Sequence, residues 1–534
     1  MVTYLTEVWK LTYTQASAIV NIFWGIVAIL PFTLQYIVDT FMGNFWMVLI
    51  SSFAYSLGLG FLSMSTPPVL SRETNTCREY KPECISKVQN ILFYTALPLI
   101  AIGMSGHLTS LRKFVKEQNE SSTGNEVQEQ KRTKEQKGKC HWSLYLVILV
   151  PLIGAIVIPY IKPWKLRFGI PSIVTVAATL IFLTGSCQYR KVKVQGSSLT
   201  TVFRVSVAST SKLFHSFPTD ASQLYERHDD LTKKMTPTRH LRFLDKAAVI
   251  VPNIPLEQQQ LNRWRLCTVT EVEETKSIIC MIPLCMTFFV LGVVSSIGNT
   301  YFLEQANHMN RKVGKLKVPL PMLVLLRDKA KSRFSKFYFK LMANDSAGEG
   351  TSPKRYTARV GIGVSMIFAV QCCISAAKVE DRRLHVVRKH GLVYKPEERI
   401  PMSMLWLLPQ FLLLGGLDGI SQKSIQLFFN NQTPASMDRY MAHFATAVSG
   451  VGTIGSVFSV YLVGEISTRG GHPSWFQDTL NRSRLDKYYW VLAALTAVNF
   501  LLYILMAIWY SQKDLRTGEQ MEAPVCNQAT ESFD

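Results

Sequence analysis

Acid is what this sequence is short of: 37 Asp and Glu stand against 58 Lys and Arg, a formal charge of +21 at neutral pH. Such an excess could suit nucleic acid, but the basic residues fall between apolar blocks, which points away from nucleic acid. That placement fits retention beside anionic cytoplasmic leaflets. None of the ten cysteines stands at CxxC spacing, so neither a zinc site nor a dithiol redox motif is written here. Cys267, Cys280, Cys285, Cys372 and Cys373 lie in or beside apolar blocks and read as small packing residues. Cys77 and Cys84 share one loop, and pairing or two free thiols are equally compatible with that spacing. No phosphate loop, metal cluster or nucleophile beside a base appears, which argues against an enzyme and implies no cofactor. The first residues carry no cleavable signal pattern.

Long apolar runs are what the chain has in abundance, with 48% of its residues hydrophobic and 11% aromatic. A helix crossing a bilayer needs about 20 mostly apolar residues. Runs of that kind cover 16–38, 45–64, 88–109, 144–161 and 168–186 in the first half, then 277–299, 360–377, 401–429, 444–463 and 488–510. MVTYLTEVWKLTYTQ at the start is too short to span and reads as the tail of a truncated first helix. Residues 318–342 hold Arg327, Asp328, Lys329, Lys331, Arg333 and Lys336 where a span should lie. That segment is read as crossing, with its charges toward a cavity. The sequence thus divides into an N-terminal helix bundle (1–186), a basic cytoplasmic linker (187–276), a C-terminal bundle (277–510) and a disordered tail (511–534). Within the linker, RHLRFLDKAAVI is expected to be a short amphipathic helix on the membrane face. One conflict remains, because the basic loop 378–399 falls outside in this topology, against the positive-inside bias.

The stretch 401–429 matters most, since its apolar length carries Asp418, Gln422 and Gln426 at i, i+4 and i+8. At about 100° per residue they share one stripe. A charge facing lipid costs about 2.5 to 3.5 kcal/mol, so an acid kept in a span is a functional-site hypothesis. Lys423 stands roughly 140° from Asp418 around the helix, a poor position for an ion pair. The bland alternative has Lys423 snorkelling and Asp418 capping or kinking the helix. A cationic partner for Asp418 is expected from the charged segment, through Arg327 or Lys329, and Asn299 at the polar end of 277–299 completes the proposed pathway.

Several blocks then carry a resemblance: RFLDKAAVIVP, WRLCTVTEVEETKSII, RVGIGVSM running on to AAKVEDRRL, PMSMLWLLPQFLL, QLFFNNQTPASM, and WFQDTLNRSRLDKYYWVLAALTAVNFLLY. In this order they resemble the plant nitrate/peptide transporter family, the plant branch of the proton-coupled oligopeptide transporters. The resemblance implies an all-α membrane protein with the major facilitator fold, two helical bundles around a central cavity, and alternating access. It also implies departures. The acidic and arginine motif of the first helix would precede Met1; Leu108 and Thr109 stand where a lysine and a proline are usual; Asn44 replaces a basic residue after Asp39 and Gly43; and Asp418 takes the place of a glutamate.

The function expected is secondary transport of a small solute, such as nitrate, a di- or tripeptide or another small organic anion, with weak proton coupling or none. The partners are that solute, protons and membrane lipids, and the location is the plasma or vacuolar membrane. The alternatives are a regulatory or scaffold relative that no longer transports, or a truncated gene model.

Overall fold

The computed structural model describes residues 1–67, 85–120, 161–214, 238–344 and 353–522, apart from 162, 193, 195, 239, 252–254, 434–436 and 470, together with positions 69, 157, 224 and 225. The expected span at 144–161 and the Cys77 and Cys84 loop therefore lie outside the described residues.

The chain opens with a six-residue helix, α1 (Val2–Glu7), whose Tyr4 and Leu5 are fully buried. Tyr4 packs against Trp164 at 5.0 Å and Phe168 at 5.3 Å between ring centroids, which seats α1 in the first bundle. A capping box then starts α2 (Tyr13–Ile37): Thr12 accepts from the Gln15 backbone while the Gln15 side chain accepts from Thr12 N–H. A π-helical segment, Val38–Met42, leads into α3 (Gly43–Met64). Gly43 holds φ at +75°, a conformation that costs other residues a clash with their own Cβ, which explains a glycine at this turn.

α4 (Lys87–Glu120) settles the direction of the two preceding helices. Ser105 Oγ donates to the Val27 carbonyl at 3.1 Å and Lys113 lies 3.4 Å from Asp39, so α4 runs parallel to α2. Against α3 the order is reversed: a Cβ on Gly58 would lie 2.9 Å from Ile100 N, and one on Gly103 would lie 2.8 Å from Ser51 O. The helical run Tyr13–Met64 is therefore two antiparallel passes. α5 (Trp164–Thr184) completes the described part of this bundle and packs on α3.

The linker folds onto the second bundle. Its elements are α6 (Leu199–Ser211), a 3-10 helix at Arg242–Ala248 and α7 (Leu256–Leu261). The 3-10 helix does not lie on a membrane face as an amphipathic α-helix would. It buries Leu244, Ala247 and Ala248 against Val205 and Ala208 of α6 and against Cys267, Val269 and Val272. Lys276 Nζ locks this module, reaching Asp245 at 2.6 Å, Glu273 at 2.7 Å and the Thr238 carbonyl at 3.0 Å. Helix α8 (Val269–Met286) already begins inside the 187–276 segment, so the boundary between linker and bundle falls earlier than hydropathy placed it. Charged residues of its first two turns hid those turns from an apolar window.

The second bundle consists of α8, α9 (Phe288–His308), α10 (Pro321–Asn344), α11 (Pro353–Lys389), α12 (Leu408–Gln432), α13 (Asp438–Thr468) and α14 (Leu485–Glu522). α8 and α9 meet at a 46° bend. Pro283 lies one turn before it, where the missing N–H loosens the helix. A strand pair joins Met309 to Ile400 in parallel past the end of α9. α14 continues to Glu522, so residues 511–522 of the expected disordered tail are helical.

α10 stays inside the bundle despite its charges. A Cβ on Gly415 would sit 2.7 Å from the Arg327 carbonyl, so the backbones of α10 and α12 touch there, as small residues allow in membrane bundles. Its 24 residues extend about 36 Å, enough to cross.

The basic segment after α11 is partly internal. The helix runs on to Lys389, and Arg383 is fully buried, held by Glu380 at 2.7 Å, Asn481 at 2.9 Å and the Leu480 carbonyl at 2.9 Å. Glu380 also accepts from Gln305 at 2.7 Å, so this pair is neutralised and hydrogen-bonded, as buried ions must be. Arg382 lies 3.7 Å over the Trp406 ring. Part of the charge counted for that loop is internal.

The bundles meet along α2 and α13. A Cβ on Gly25 would lie 2.8 Å from the Gly450 carbonyl, and Asn21 donates to Ser456 at 3.1 Å.

Candidate functional site

Three helices of the second bundle converge on Asp418. It is half-buried on α12 and accepts from Ser295 Oγ of α9 at 2.9 Å. One turn along α9, Asn299 Oδ1 accepts from Arg327 Nη1 of α10. Arg327 also holds its neighbour Asp328 at 3.0 Å. The cations whose fields reach Asp418 are Arg327 and Lys331. A carboxylate and a guanidinium from separate helices are thus bridged by Ser295 and Asn299, which stand at i and i+4.

Beside this cluster, α10 and α12 diverge into a recess of about 290 Å³. Asp328, Lys331, Ser332 and Ser335 line it from α10, and Gly419, Gln422, Lys423 and Gln426 from α12. Glycine at 419 is required because α12 presses there on the backbone at Lys331. Lys423 Nζ lies 4.4 Å over the Phe339 ring, a cation–π contact.

Of the residues singled out from sequence, Asp418, Arg327 and Asn299 come together, and Gln422 and Gln426 face the recess one and two turns from Asp418. Lys329 does not join them: it is exposed and is not among the residues lining the recess. Ser295 and Lys331 were missed, although each lies four residues from a residue that was named, Asn299 and Arg327. At position 108 the leucine is 62% exposed, and Thr109 donates to the Gly106 carbonyl of its own helix at 2.9 Å; neither side chain carries an ionisable group.

The sequence profile of the POT family matches residues 45–476. The chain belongs to this family. It is 41% identical over 519 residues to protein NRT1/PTR family 5.5 of Arabidopsis thaliana, covering 97% of this chain and 94% of that one. It is 31% identical over 535 residues to protein NRT1/PTR family 5.7 of the same plant, covering 97% and 85%. Among solved structures it resembles an autoinhibited POT family peptide transporter, with a TM-score of 0.60 at 15% identity over 93% of this chain and 88% of the other. The POT family transporter PepTSo matches at a TM-score of 0.57 and 16% identity, over 93% and 90%. These likenesses establish the major facilitator fold expected from sequence. Members of the POT family are membrane transporters, not enzymes.

Proposed function

We propose that this POT family protein carries a small solute, nitrate, a short peptide or another small organic anion, between the two bundles, in the plasma or the vacuolar membrane. One observation supports this reading above the others: Asp418, Ser295, Asn299 and Arg327 form a polar cluster across three helices of the second bundle beside an open recess. Charges kept inside a membrane bundle mark solute or ion pathways. Alternating access needs contacts that can break at either end. Tyr440 donates to Asp39 at 2.7 Å at one end of α2, and Tyr13 donates to Ser483 at 2.8 Å at the other, both across the bundle boundary. The close Gly25 and Gly450 approach between them provides a fulcrum.

Coupling to protons is weak or absent in this reading, because the resemblance places a lysine where Leu108 stands. A carrier driven by protons needs a group whose protonation shifts the balance of inward and outward states. Asp418 remains as that group, without the second charge.

Uptake of labelled nitrate, dialanine and glutarate into proteoliposomes holding the full chain tests the reading. At least one solute is expected to enter several-fold faster than into protein-free liposomes; equal entry for all three would contradict transport of this solute class.

A further inference from the structure

We propose that the recess between α10 and α12 is an anion subsite selecting an organic dianion of about ten heavy atoms, such as a dicarboxylate, over a zwitterionic peptide or nitrate. This narrows the solute of the transport reading and rests on it.

The charge balance of the recess carries the inference. Lys331 lies near the middle of α10 and Lys423 about two-thirds along α12, depths at which a lysine facing lipid costs about 2.5 to 3.5 kcal/mol. Both face the recess instead. Among the described residues Asp328 is the acid in its lining, and Arg327 holds that carboxylate at 3.0 Å. Asp418 stands behind the lining and accepts from Ser295. The described lining therefore presents two ammonium groups and one carboxylate held by Arg327, and the field of Lys331 also reaches Asp418, which is not in the lining.

Neutral donors surround them. The amides of Gln422 and Gln426 and the hydroxyls of Ser332 and Ser335 can donate to carboxylate oxygens without adding charge. A zwitterionic peptide would need an acid for its ammonium, and among the described lining residues the acid, Asp328, is already held by Arg327. Reach separates the remaining anions: the recess, of about 290 Å³, is open on one side and carries a lysine from each of two helices, and the four atoms of nitrate are too few to engage both helices. A dicarboxylate of four to six carbons offers a carboxylate to each lysine, with charge-assisted bonds, the stronger kind.

The test uses glutarate, dialanine and nitrate with the full chain. Glutarate is expected to enter proteoliposomes with a KM at least tenfold below that of dialanine, and to raise the Tm of the detergent-purified protein. Lys331→Gln and Lys423→Gln are each expected to raise the glutarate KM at least tenfold and to remove the Tm rise. Lys331→Arg and Lys423→Arg keep the charge and retain uptake, which keeps the test decisive if a glutamine variant unfolds. Uptake of nitrate or dialanine with no response to glutarate would overturn the dianion site and leave transport standing. Failure of all three solutes to enter would overturn both.

Discussion

The Tyr440 hydroxyl donates to Asp39 Oδ2 across 2.7 Å, tying the first turn of α13 to the π-helical turn of the other bundle. Ser197 Oγ lies 2.6 Å from the same hydroxyl, and Gln35 and Lys113 hold Asp39 at 2.8 and 3.4 Å. A hydrogen bond to a charged group contributes about 1.5 to 3 kcal/mol, enough to bias two states whose energies lie close. Tyr440→Phe removes it while keeping the ring. Spin-label distances between genetically encoded labels at Leu111 and Thr446 are expected to gain a longer population in this variant. An unchanged distribution would show that the contact does not set the balance.

Lys276 holds the linker. Lys276→Met strands Asp245 and Glu273, both largely buried, and breaking a buried pair in this way costs about 3 to 5 kcal/mol. Hydrogen exchange in residues 240–276 is expected to rise sharply. The pH dependence has a definite sign. Burial pushes the Asp245 carboxyl above its ordinary value, and the hydrogen bond and charge of Lys276 are the main influences pulling it down. Without the lysine it rises further. A carboxyl raised in the folded state favours folding as pH falls through that raised value, so the defect should be smaller at pH 5 than at pH 7.5. An equal defect at both would refute the stranded-carboxylate account.

Two cysteines report on the linker's placement. Cys187 is exposed, whereas burial pushes the Cys267 thiol up to about 11. In vesicles whose cytoplasmic face is inward, external maleimide at pH 7.5 should leave Cys187 unlabelled until the membrane is permeabilised. Cys267 should resist in both conditions, because the thiolate is the reactive form. Peptide mass spectrometry reads each site. External labelling of Cys187 in sealed vesicles would place the linker on the other side.

Asp418→Asn keeps the shape and the contact with Ser295 but cannot titrate. Initial uptake is expected to fall at least tenfold, about 1.4 kcal/mol of lost stabilisation, with normal expression. Uptake at the wild-type rate with an unchanged pH profile would make Asp418 structural.

How much of this was legible in the sequence follows from what periodicity carries. A stripe at i, i+4 and i+8 found Asp418, Gln422 and Gln426 because residues of one helix face need no partner to be recognised. Choosing a cation across the gap needed the phase of a second helix. Lys331 follows Arg327 by one turn and shares its face, whereas Lys329 lies about 200° from it. The Glu380 and Arg383 pair was hidden for another reason: hydropathy counts a neutralised buried arginine as it counts a solvated one. The linker's fold was illegible because Lys276 meets Asp245 from 31 residues away, and no local pattern announces such a contact.

The most direct measurement is solute accumulation by the reconstituted full chain at two external pH values, with and without an imposed pH gradient. Transport through the Asp418 cluster without the second charge predicts equilibration across the membrane, nearly insensitive to the gradient. Accumulation above equilibrium that collapses when the gradient is dissipated would contradict it.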